Sequence, residues 1–286
     1  MINKLVIIGV GLIGGSFALA LRQAGLVREV VGVGRNAENL SAALGMYVID
    51  RYAEPAQAVQ DADVVLLAVP VGQMGPMMAA IAKHLAPHTI VTDVGSTKQD
   101  VVTLARANLV HHFAQFVPGH PIAGAERSGV KAADANLFRE RNVVLTPLPE
   151  THPAARELIA KLWQACGAKV SEMTPALHDE VFAAVSHLPH LLAFGLVDYI
   201  AAQPNAEALF GFAASGFRDF TRIAGSSPEM WRDICLANRG ALLQQLAGYE
   251  VELARIKQLI EAGDGAALAK LFEHARDARQ TLLKNL

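Results

Sequence analysis

The first candidate for chemistry is a histidine in residues 116–129, a segment rich in glycine and proline. His120 lies between Gly119 and Pro121, where no helix face or strand pattern predicts burial, and Glu126 follows in the same segment. We expect a loop, and loops held by a rigid scaffold are where catalytic residues concentrate. A neutral imidazole there could act as a general base. The alternative is a loop histidine that bonds only to the backbone.

A pair of further histidines, His187 and His190, lies in residues 185–190 of a predicted helix. They are one turn apart and therefore share a helix face. A metal site needs a third or fourth ligand at a suitable spacing, and we find none, so we expect no metal. The alternative is a core histidine bonded to a neighbour. Pro189 interrupts the helical hydrogen bonds and should leave a carbonyl free near the histidines.

Two arginines lie in residues 211–224, which are otherwise apolar and flanked by glycine. Arg218 and Arg222 stand on either side of Asp219. Arginines in apolar surroundings are usually paired with carboxylates. The partner is either Asp219 or the carboxylate of a substrate, which a guanidinium group binds through two parallel hydrogen bonds.

These side chains need a scaffold, and the N-terminal stretch predicts one that binds a dinucleotide. An apolar strand, residues 5–8, runs directly into Gly9-x-Gly11-x-x-Gly14 and then into a helix. The first glycine permits a tight turn, the second lets a pyrophosphate approach the backbone, and the third lets the helix pack on the strand. The helix N-terminus then favours the phosphates. A tight turn without a ligand is the alternative.

The end of the second predicted strand indicates which nucleotide binds. An acidic residue there would bind the ribose hydroxyl of NAD, whereas an arginine accommodates the 2′-phosphate of NADP. This chain has Gly34-Arg35-Asn36 and no carboxylate until Glu38. We therefore expect NADP, with NAD possible. A solvated surface arginine is the alternative interpretation of Arg35.

Strands and helices alternate through the first half of the chain, which is typical of a doubly wound parallel sheet. The further strands are predicted at 29–34, 61–70, 89–92, 142–147 and 168–171, and the helices at 76–85, 98–107 and 153–165. Ser96 and Thr97 precede one helix and are natural N-caps. They also follow a strand, where open α/β sheets bind ligands.

The composition changes near Met173, after which we find no convincing strand. Apolar residues recur at helical spacing through four stretches, 181–202, 228–238, 241–262 and 266–283. Some are apolar nearly all round, as expected for helices buried in a bundle or a subunit interface. We predict a dinucleotide-binding domain over residues 1–172 and an all-helical domain over residues 173–286.

The composition excludes several classes of function. The chain has 286 residues, of which 52% are hydrophobic and 18% charged, with a net charge of −2. This balance argues against disorder and against bulk binding to nucleic acid or an anionic membrane. Cys166 and Cys235 make no disulfide framework and fit a reducing compartment. We find neither a signal peptide nor an uninterrupted apolar run of membrane-spanning length, and expect a soluble cytoplasmic protein.

Motifs along almost the whole chain resemble the prephenate/arogenate dehydrogenase family of tyrosine biosynthesis. They are GVGLIGGS at 9–16, AVP at 68–70, DVGSTK at 93–98, GHPIAGAERSG at 119–129, SHLPH at 186–190 and GFRDFTRIAGSSPEMW at 216–231. The last three are more specific than the glycine fingerprint. The resemblance implies a Rossmann-like domain followed by a helical domain through which two subunits dimerise.

By this resemblance, the reaction is the oxidative decarboxylation of prephenate to 4-hydroxyphenylpyruvate, or of arogenate to tyrosine. His120 matches the catalytic histidine, and Ser96 would bond the same substrate hydroxyl. His187 would line the substrate pocket, and Arg222 would bind a substrate carboxylate. Glu126 and Arg218 would be further pocket groups that reach across the dimer.

The resemblance and the glycine loop together imply one set of cofactor contacts. These residues are Gly9, Gly11, Leu12, Ile13, Gly14, Arg35, Val69 and Pro70. The missing acidic residue after the second strand departs from the members that use NAD, and we expect neither a chorismate mutase segment nor a regulatory domain. The alternatives are a β-hydroxyacid dehydrogenase or imine reductase of similar layout, and a non-catalytic NADP sensor.

Overall fold

The computed structural model describes residues 1–124 and 128–282, so the candidate residue Glu126 lies outside the described residues. The chain divides into two compact units, Met1–Arg239 and Gly240–Leu286. The domain boundary expected near residue 172 stays a prediction.

A six-stranded parallel sheet forms the centre of the first unit, in the order β3-β2-β1-β4-β5-β6. The strands are β1 (Ile2–Ile8), β2 (Val27–Val33), β3 (Arg51–Tyr52), β4 (Val64–Leu67), β5 (Ile90–Asp93) and β6 (Phe116–Val117). The order reverses between β1 and β4, and open sheets bind ligands beyond the carboxyl ends of the strands at such a point. The glycine loop follows β1 and lies there.

Both faces of this sheet are buried. Leu5 and Ile7 of β1 enter one apolar cluster, while Val6 and Ile8 enter the other. The covering helices are α1 (Leu12–Gln23), α2 (Ala37–Gly45), α3 (Pro55–Ala58), α4 (Val71–Ile81), α5 (Gln99–Asn108) and α6 (Pro153–Ala165). A strand that is covered on both faces needs no polar side, which explains the uniformly apolar runs in the sequence.

Helix α4 differs from the predicted helix over 76–85. It begins at Val71, keeps Pro76 inside, and passes into a 3-10 turn over Ala82–His84. The prediction treated Pro76 as a helix start, where proline is common. Met74 and Met78 are fully buried on either side of it, and this packing maintains the helix around the proline.

A second, mixed sheet corrects the prediction of one parallel sheet. It consists of β7 (Gly119–Pro121), β8 (Asn142–Leu145) and β9 (Lys169–Glu172), with β7 antiparallel and β9 parallel to β8. His120 lies opposite Val144 in this ladder. The expectation that His120 lies in a loop was therefore wrong: glycine and proline weaken the strand pattern, but pairing with β8 supplies the strand.

The described residues 173–282 contain no strand. In the first unit the helices are α7 (Pro175–Phe182), α8 (Leu188–Ala201), α9 (Ala206–Gly211), α10 (Ser215–Thr221) and α11 (Pro228–Ala237). A π-helical turn, Ala183–His187, joins α7 to α8, and a 3-10 turn, Arg222–Gly225, follows α10. The second unit contains α12 (Arg239–Glu261) from Gly240 onward and α13 (Gly265–Leu282).

The helical run Pro175–Ala201 is long and apolar enough to cross a membrane by length and composition, although only 22% of its most apolar window is buried. The sequence has no uninterrupted apolar run of that length, and this helix passes by its mean hydropathy alone. Histidines and Pro189 interrupt the apolar pattern in the sequence, but the backbone stays helical through them. The run is thus a single helical rod with a π turn inside it.

Candidate active site

The glycine loop has the geometry that a bound pyrophosphate requires. Gly9 has φ of 99°, and a Cβ atom there would lie 2.3 Å from the Ala68 carbonyl oxygen. A Cβ on Gly14 would lie 2.5 Å from the Gly9 carbonyl oxygen, whereas one on Gly11 would meet no atom within 4 Å. The open space at Gly11 is the place where a phosphate group can reach the backbone.

The other predicted cofactor residues surround this loop or follow the neighbouring strand. Leu12 and Ile13 open α1, whose first N–H groups have no partner within the helix and can bind an anion. Val69 and Pro70 follow β4 and are partly buried. Arg35 lies after β2 and is exposed, with Asn36 capping α2 next to it.

Asn39, which the sequence analysis did not single out, joins this loop to the segment after β7. Its Nδ2 donates to the Val10 carbonyl oxygen at 2.6 Å, and its Oδ1 accepts from the Val130 N–H at 3.0 Å. Asn39 is the third residue of α2, and nothing in the local sequence indicates that its side chain makes a contact with residues far away along the chain.

The loop after β5 is held by a buried ion pair between Asp93 and Lys98, both with fully buried side chains. The Asp93 carboxylate also accepts from the N–H groups of Gly95 at 2.7 Å and Gly119 at 3.2 Å. It therefore ties the loop that carries Ser96 to the first residue of β7.

Ser96 and Thr97 do not cap α5, contrary to the prediction. The capping group is Asp179 of α7, which accepts from the N–H groups of Lys98 at 2.8 Å and Gln99 at 2.9 Å. An N-cap from a residue this distant in sequence cannot be found from local spacing. Ser96 is left partly buried in the loop, where its hydroxyl is not needed by the helix.

His120 belongs to a chain of hydrogen bonds that the sequence analysis missed. Its Nδ1 lies 2.8 Å from Nε2 of His178, and Nδ1 of His178 lies 2.8 Å from Oδ1 of Asp179. His178 and Asp179 are buried. A His-Asp pair that directly follows the apolar start of α7 was the available signal, since charged residues are seldom buried unless paired.

The surroundings of His120 favour its neutral form. Phe182 packs against the ring with centroids 4.9 Å apart. Burial lowers the pKa of His120 well below its ordinary value, and the nearby His178, Lys98 and His187 lower it further. A neutral histidine is the form that can accept a proton.

The hydrogen bonds of Asn238 determine which nitrogen of His187 carries the proton. Nδ2 of Asn238 donates to the main-chain oxygen of Asp179 at 2.8 Å, which identifies it as the amide nitrogen, and lies 3.1 Å from Nδ1 of His187. Nδ1 must therefore accept, so that the proton lies on Nε2.

Nε2 of His187 is buried and has no hydrogen-bond partner among the described residues. Burial lowers the pKa of His187 to about 4, against smaller opposing effects of Asp179 and the nearby Ser96 backbone. His187 is thus a neutral donor next to the loop of Ser96.

His190 has a different environment. Its ring stacks on Trp231 with centroids 3.7 Å apart, and its Nδ1 donates to the Ser186 carbonyl oxygen at 2.8 Å. His187 bonds instead to Asn238, and no group of three potential metal-binding side chains occurs in the described parts of the chain.

The arginines lie on the exposed side of the helical segment. Arg218, Asp219 and Arg222 are all exposed, on α10 and the 3-10 turn after it. Arg222 lies near enough to His190 for its charge to lower the pKa of that histidine, after the larger effect of burial. The structure therefore brings together His120, His187 and the Ser96 loop, with Arg222 toward His190.

Two family descriptions match the chain in succession. "Prephenate dehydrogenase, nucleotide-binding domain" matches residues 17–172, and "Prephenate dehydrogenase, dimerization domain" matches residues 174–274. The chain belongs to the prephenate dehydrogenase family. It is an oxidoreductase that carries out NAD(P)-dependent oxidative decarboxylation in tyrosine biosynthesis.

Relatives with this activity match nearly the whole chain. Prephenate dehydrogenase of Bacillus subtilis is 39% identical over 99% of this chain and 76% of its own length. Cyclohexadienyl dehydrogenase of Zymomonas mobilis is 36% identical over 98% of this chain and 96% of its own.

Solved structures of the family have the same fold. Prephenate dehydrogenase from A. aeolicus, in complex with hydroxyphenyl propionate and NAD+, has a TM-score of 0.92 at 36% identity and covers 99% of both chains. Arogenate dehydrogenase from Synechocystis has a TM-score of 0.82 at 30% identity, covering 98% of this chain and 99% of its own. The expected α/β fold with a helical C-terminal part is confirmed.

Proposed function

We propose that His120 is the general base of this prephenate dehydrogenase. The observation that carries the proposal is the bond from Nδ1 of His120 to His178, which leaves the lone pair of Nε2 for a substrate hydroxyl. A bound nicotinamide would supply the acceptor for the hydride that leaves the carbon carrying this hydroxyl. His120 takes the hydroxyl proton at Nε2, and the ring carboxylate leaves as CO2 because its bonding electrons complete the aromatic ring. The ring oxygen is then a phenolate, and His120 returns the proton to it.

The remaining predicted residues bind and orient the substrate in this proposal. Ser96 bonds the same hydroxyl, and the Nε2–H of His187 donates to a substrate oxygen. Arg222 binds a substrate carboxylate through its guanidinium fork, and Arg218 and Glu126 are further pocket groups. Arg222→Ala should mainly raise KM, and an unchanged KM would assign the arginine a structural role.

The proposed cofactor is NADP in preference to NAD. The open backbone at Gly11 fits a pyrophosphate, and Arg35 follows β2, after which the sequence has no carboxylate before Glu38. The A. aeolicus relative was solved with NAD+, so the two nucleotides must be compared directly. Arg35→Ala should weaken the binding of NADP much more than the binding of NAD. Equal losses of affinity for the two nucleotides would show that Arg35 does not bind the 2′-phosphate.

The central experiment measures reduced-cofactor formation with prephenate and with arogenate, each with NAD and with NADP. Relatives of this chain include enzymes named for prephenate, cyclohexadienyl substrates and arogenate. We expect turnover in at least one combination and faster turnover with NADP. A non-catalytic NADP sensor would give none in any of the four.

We also propose that the enzyme is a cytoplasmic homodimer. Its C-terminal match is described as a dimerization domain, and α12 and α13 expose Val251, Ile260 and Phe272. Both cysteines are free, as in a reducing compartment. Light scattering of the purified protein tests the dimer, and cell fractionation tests the location.

A further inference from the structure

We propose that Asp179 and His178 are positioning residues that hold His120 in the one tautomer able to accept the substrate proton. The inference rests on the proposed role of His120 as the base. It is carried by a continuous set of hydrogen bonds from the start of α5, through Asp179 and His178, to His120.

The hydrogen bonds of Asp179 determine its charge. Its Oδ1 accepts from the Lys98 N–H and its Oδ2 accepts from the Gln99 N–H. A backbone N–H can only donate, so both carboxylate oxygens act as acceptors. Burial raises the pKa of Asp179, but the bonds from His178, Gln99 and Lys98 together lower it below its ordinary value. Asp179 is therefore ionised at neutral pH.

The charge of Asp179 determines where the protons of the two rings lie. An ionised carboxylate only accepts, so the proton of His178 lies on Nδ1, which faces Asp179. Neutral His178 then has a lone pair on Nε2, which faces Nδ1 of His120. His120 must donate from Nδ1, and its own lone pair is on Nε2.

Among the described residues, Asp179 is the only ionisable group that bonds to these two rings. The ionisable groups around the rings are Lys98 and Asp93, which pair with each other, and His187, which bonds to Asn238. None of them bonds to a ring nitrogen of His120 or His178 among the described residues. Asp179 is thus the group that orients both rings.

The arrangement also determines what happens when His120 accepts a proton. The new proton binds to Nε2, while the Nδ1–H stays bonded to His178, so no proton moves along the chain of rings. The positive charge on His120 faces the negative charge of Asp179 across one neutral imidazole. In serine proteases, a buried aspartate holds the catalytic histidine directly in the same way.

Asp179 has a second contact that serves the other side of the site. Its main-chain oxygen accepts from Asn238, whose amide also bonds to His187. Asp179, in α7, therefore helps to position both His120, the proposed base, and His187, the proposed donor to the substrate.

Histidine tautomers can be observed without any turnover. Two-bond nitrogen–proton correlation spectra of the 15N-labelled protein distinguish Nδ1–H from Nε2–H rings, and the signals of the ten histidines are assigned from His120→Asn and His178→Gln. We expect both His120 and His178 in the neutral Nδ1–H form. Finding His120 as the Nε2–H form in the wild-type protein would overturn the proposal, whether or not the protein turns over prephenate.

Kinetics then separate positioning from packing. His178→Gln keeps a side-chain acceptor for His120, whereas His178→Leu fills the buried space without one. We expect kcat to fall less than ~10-fold in the glutamine variant and at least ~100-fold in the leucine variant, each with KM within ~3-fold of wild type. A leucine variant as active as the glutamine variant would show that His178 only packs.

Asp179→Asn and a matched helix variant complete the test. We expect Asp179→Asn to lower kcat ~10- to 100-fold and to leave His120 as a mixture of the Nδ1–H and Nε2–H forms. Thr174→Ala removes the N-cap bond to Leu177 on the same helix without touching the rings, so it should lower Tm and leave kcat unchanged. If Asp179→Asn lowers only Tm, as Thr174→Ala does, Asp179 is a helix cap and nothing more.

Discussion

At the residue scale, the base must be neutral and its lone pair must be accessible. Burial favours the neutral form of His120, and the bond to His178 leaves its lone pair on Nε2. We therefore expect His120→Asn to lower kcat by at least ~100-fold with little change in KM, because a general base acts in the transition state. Steady-state kinetics at saturating cofactor measure this. A near-normal kcat would show that His120 is not the general base.

The tautomer of His187 is a second prediction at this scale. Asn238→Asp replaces an amide donor with a carboxylate that only accepts, so His187 must donate from Nδ1 and its Nε2 becomes an acceptor. If the Nε2–H binds a substrate oxygen, KM should rise ~10-fold or more while cofactor binding stays normal. A Tm measured in parallel shows whether the variant is folded. A folded variant with an unchanged KM would contradict the proposed donor role.

At the element scale, the turn from β1 into α1 leaves no room for a side chain at Gly14. A Cβ there would lie 2.5 Å from the Gly9 carbonyl oxygen and 2.7 Å from Cγ2 of Ile7. The backbone would have to move, so Gly14→Ala should cost about 1–3 kcal/mol of stability and weaken the binding of the cofactor.

The matched control for this prediction is Gly195→Ala within α8. Gly195 is exposed, and an added Cβ would meet nothing within 4 Å. Alanine there should raise the free energy of unfolding by up to about 1 kcal/mol, because glycine is a poor helix former. Denaturation and cofactor titration of both variants provide the comparison. Equal effects of the two alanines would show that the turn tolerates a side chain.

The same elements show what the sequence could predict. The turn from β1 into α1 and the buried strand β4 were predictable, because glycine spacing and apolar runs are local signals. Strand β7 was not, because its pairing partner β8 supplies what a Gly-His-Pro sequence lacks. Asp179 was also missed, since it caps a helix that lies far away along the chain.

The site residues divide along the same line. His120 and His187 could be selected by residue type and by family resemblance, whereas their tautomers depend on His178 and Asn238, which only the folded chain brings to them. Neither partner lies within one helical turn of the histidine that it orients. Local sequence could therefore name the groups that react but not the groups that position them.

At the scale of the whole molecule, the buried histidines make folding sensitive to acid. Burial lowers the pKa values of His120 and His178 as well as that of His187, which falls to about 4. Below the unfolded value of 6.5, the unfolded chain binds protons that the folded chain does not, so stability must fall as pH falls. Burial raises the pKa of Asp100, so the protonation of this carboxyl group stabilises the folded chain as pH falls. This effect opposes that of the histidines only in the pH range where Asp100 protonates.

The size of this effect can be checked against one residue. With a folded pKa of about 4, His187 alone should cost about 2 kcal/mol of stability at pH 5 relative to pH 7.5. Both tryptophans, Trp163 and Trp231, lie in the first unit, so their fluorescence follows its unfolding by denaturant. His187→Gln cannot titrate and should reduce the loss between these two pH values by about 2 kcal/mol. The same loss in the wild-type protein and this variant would show that His187 does not contribute to the acid sensitivity of the fold.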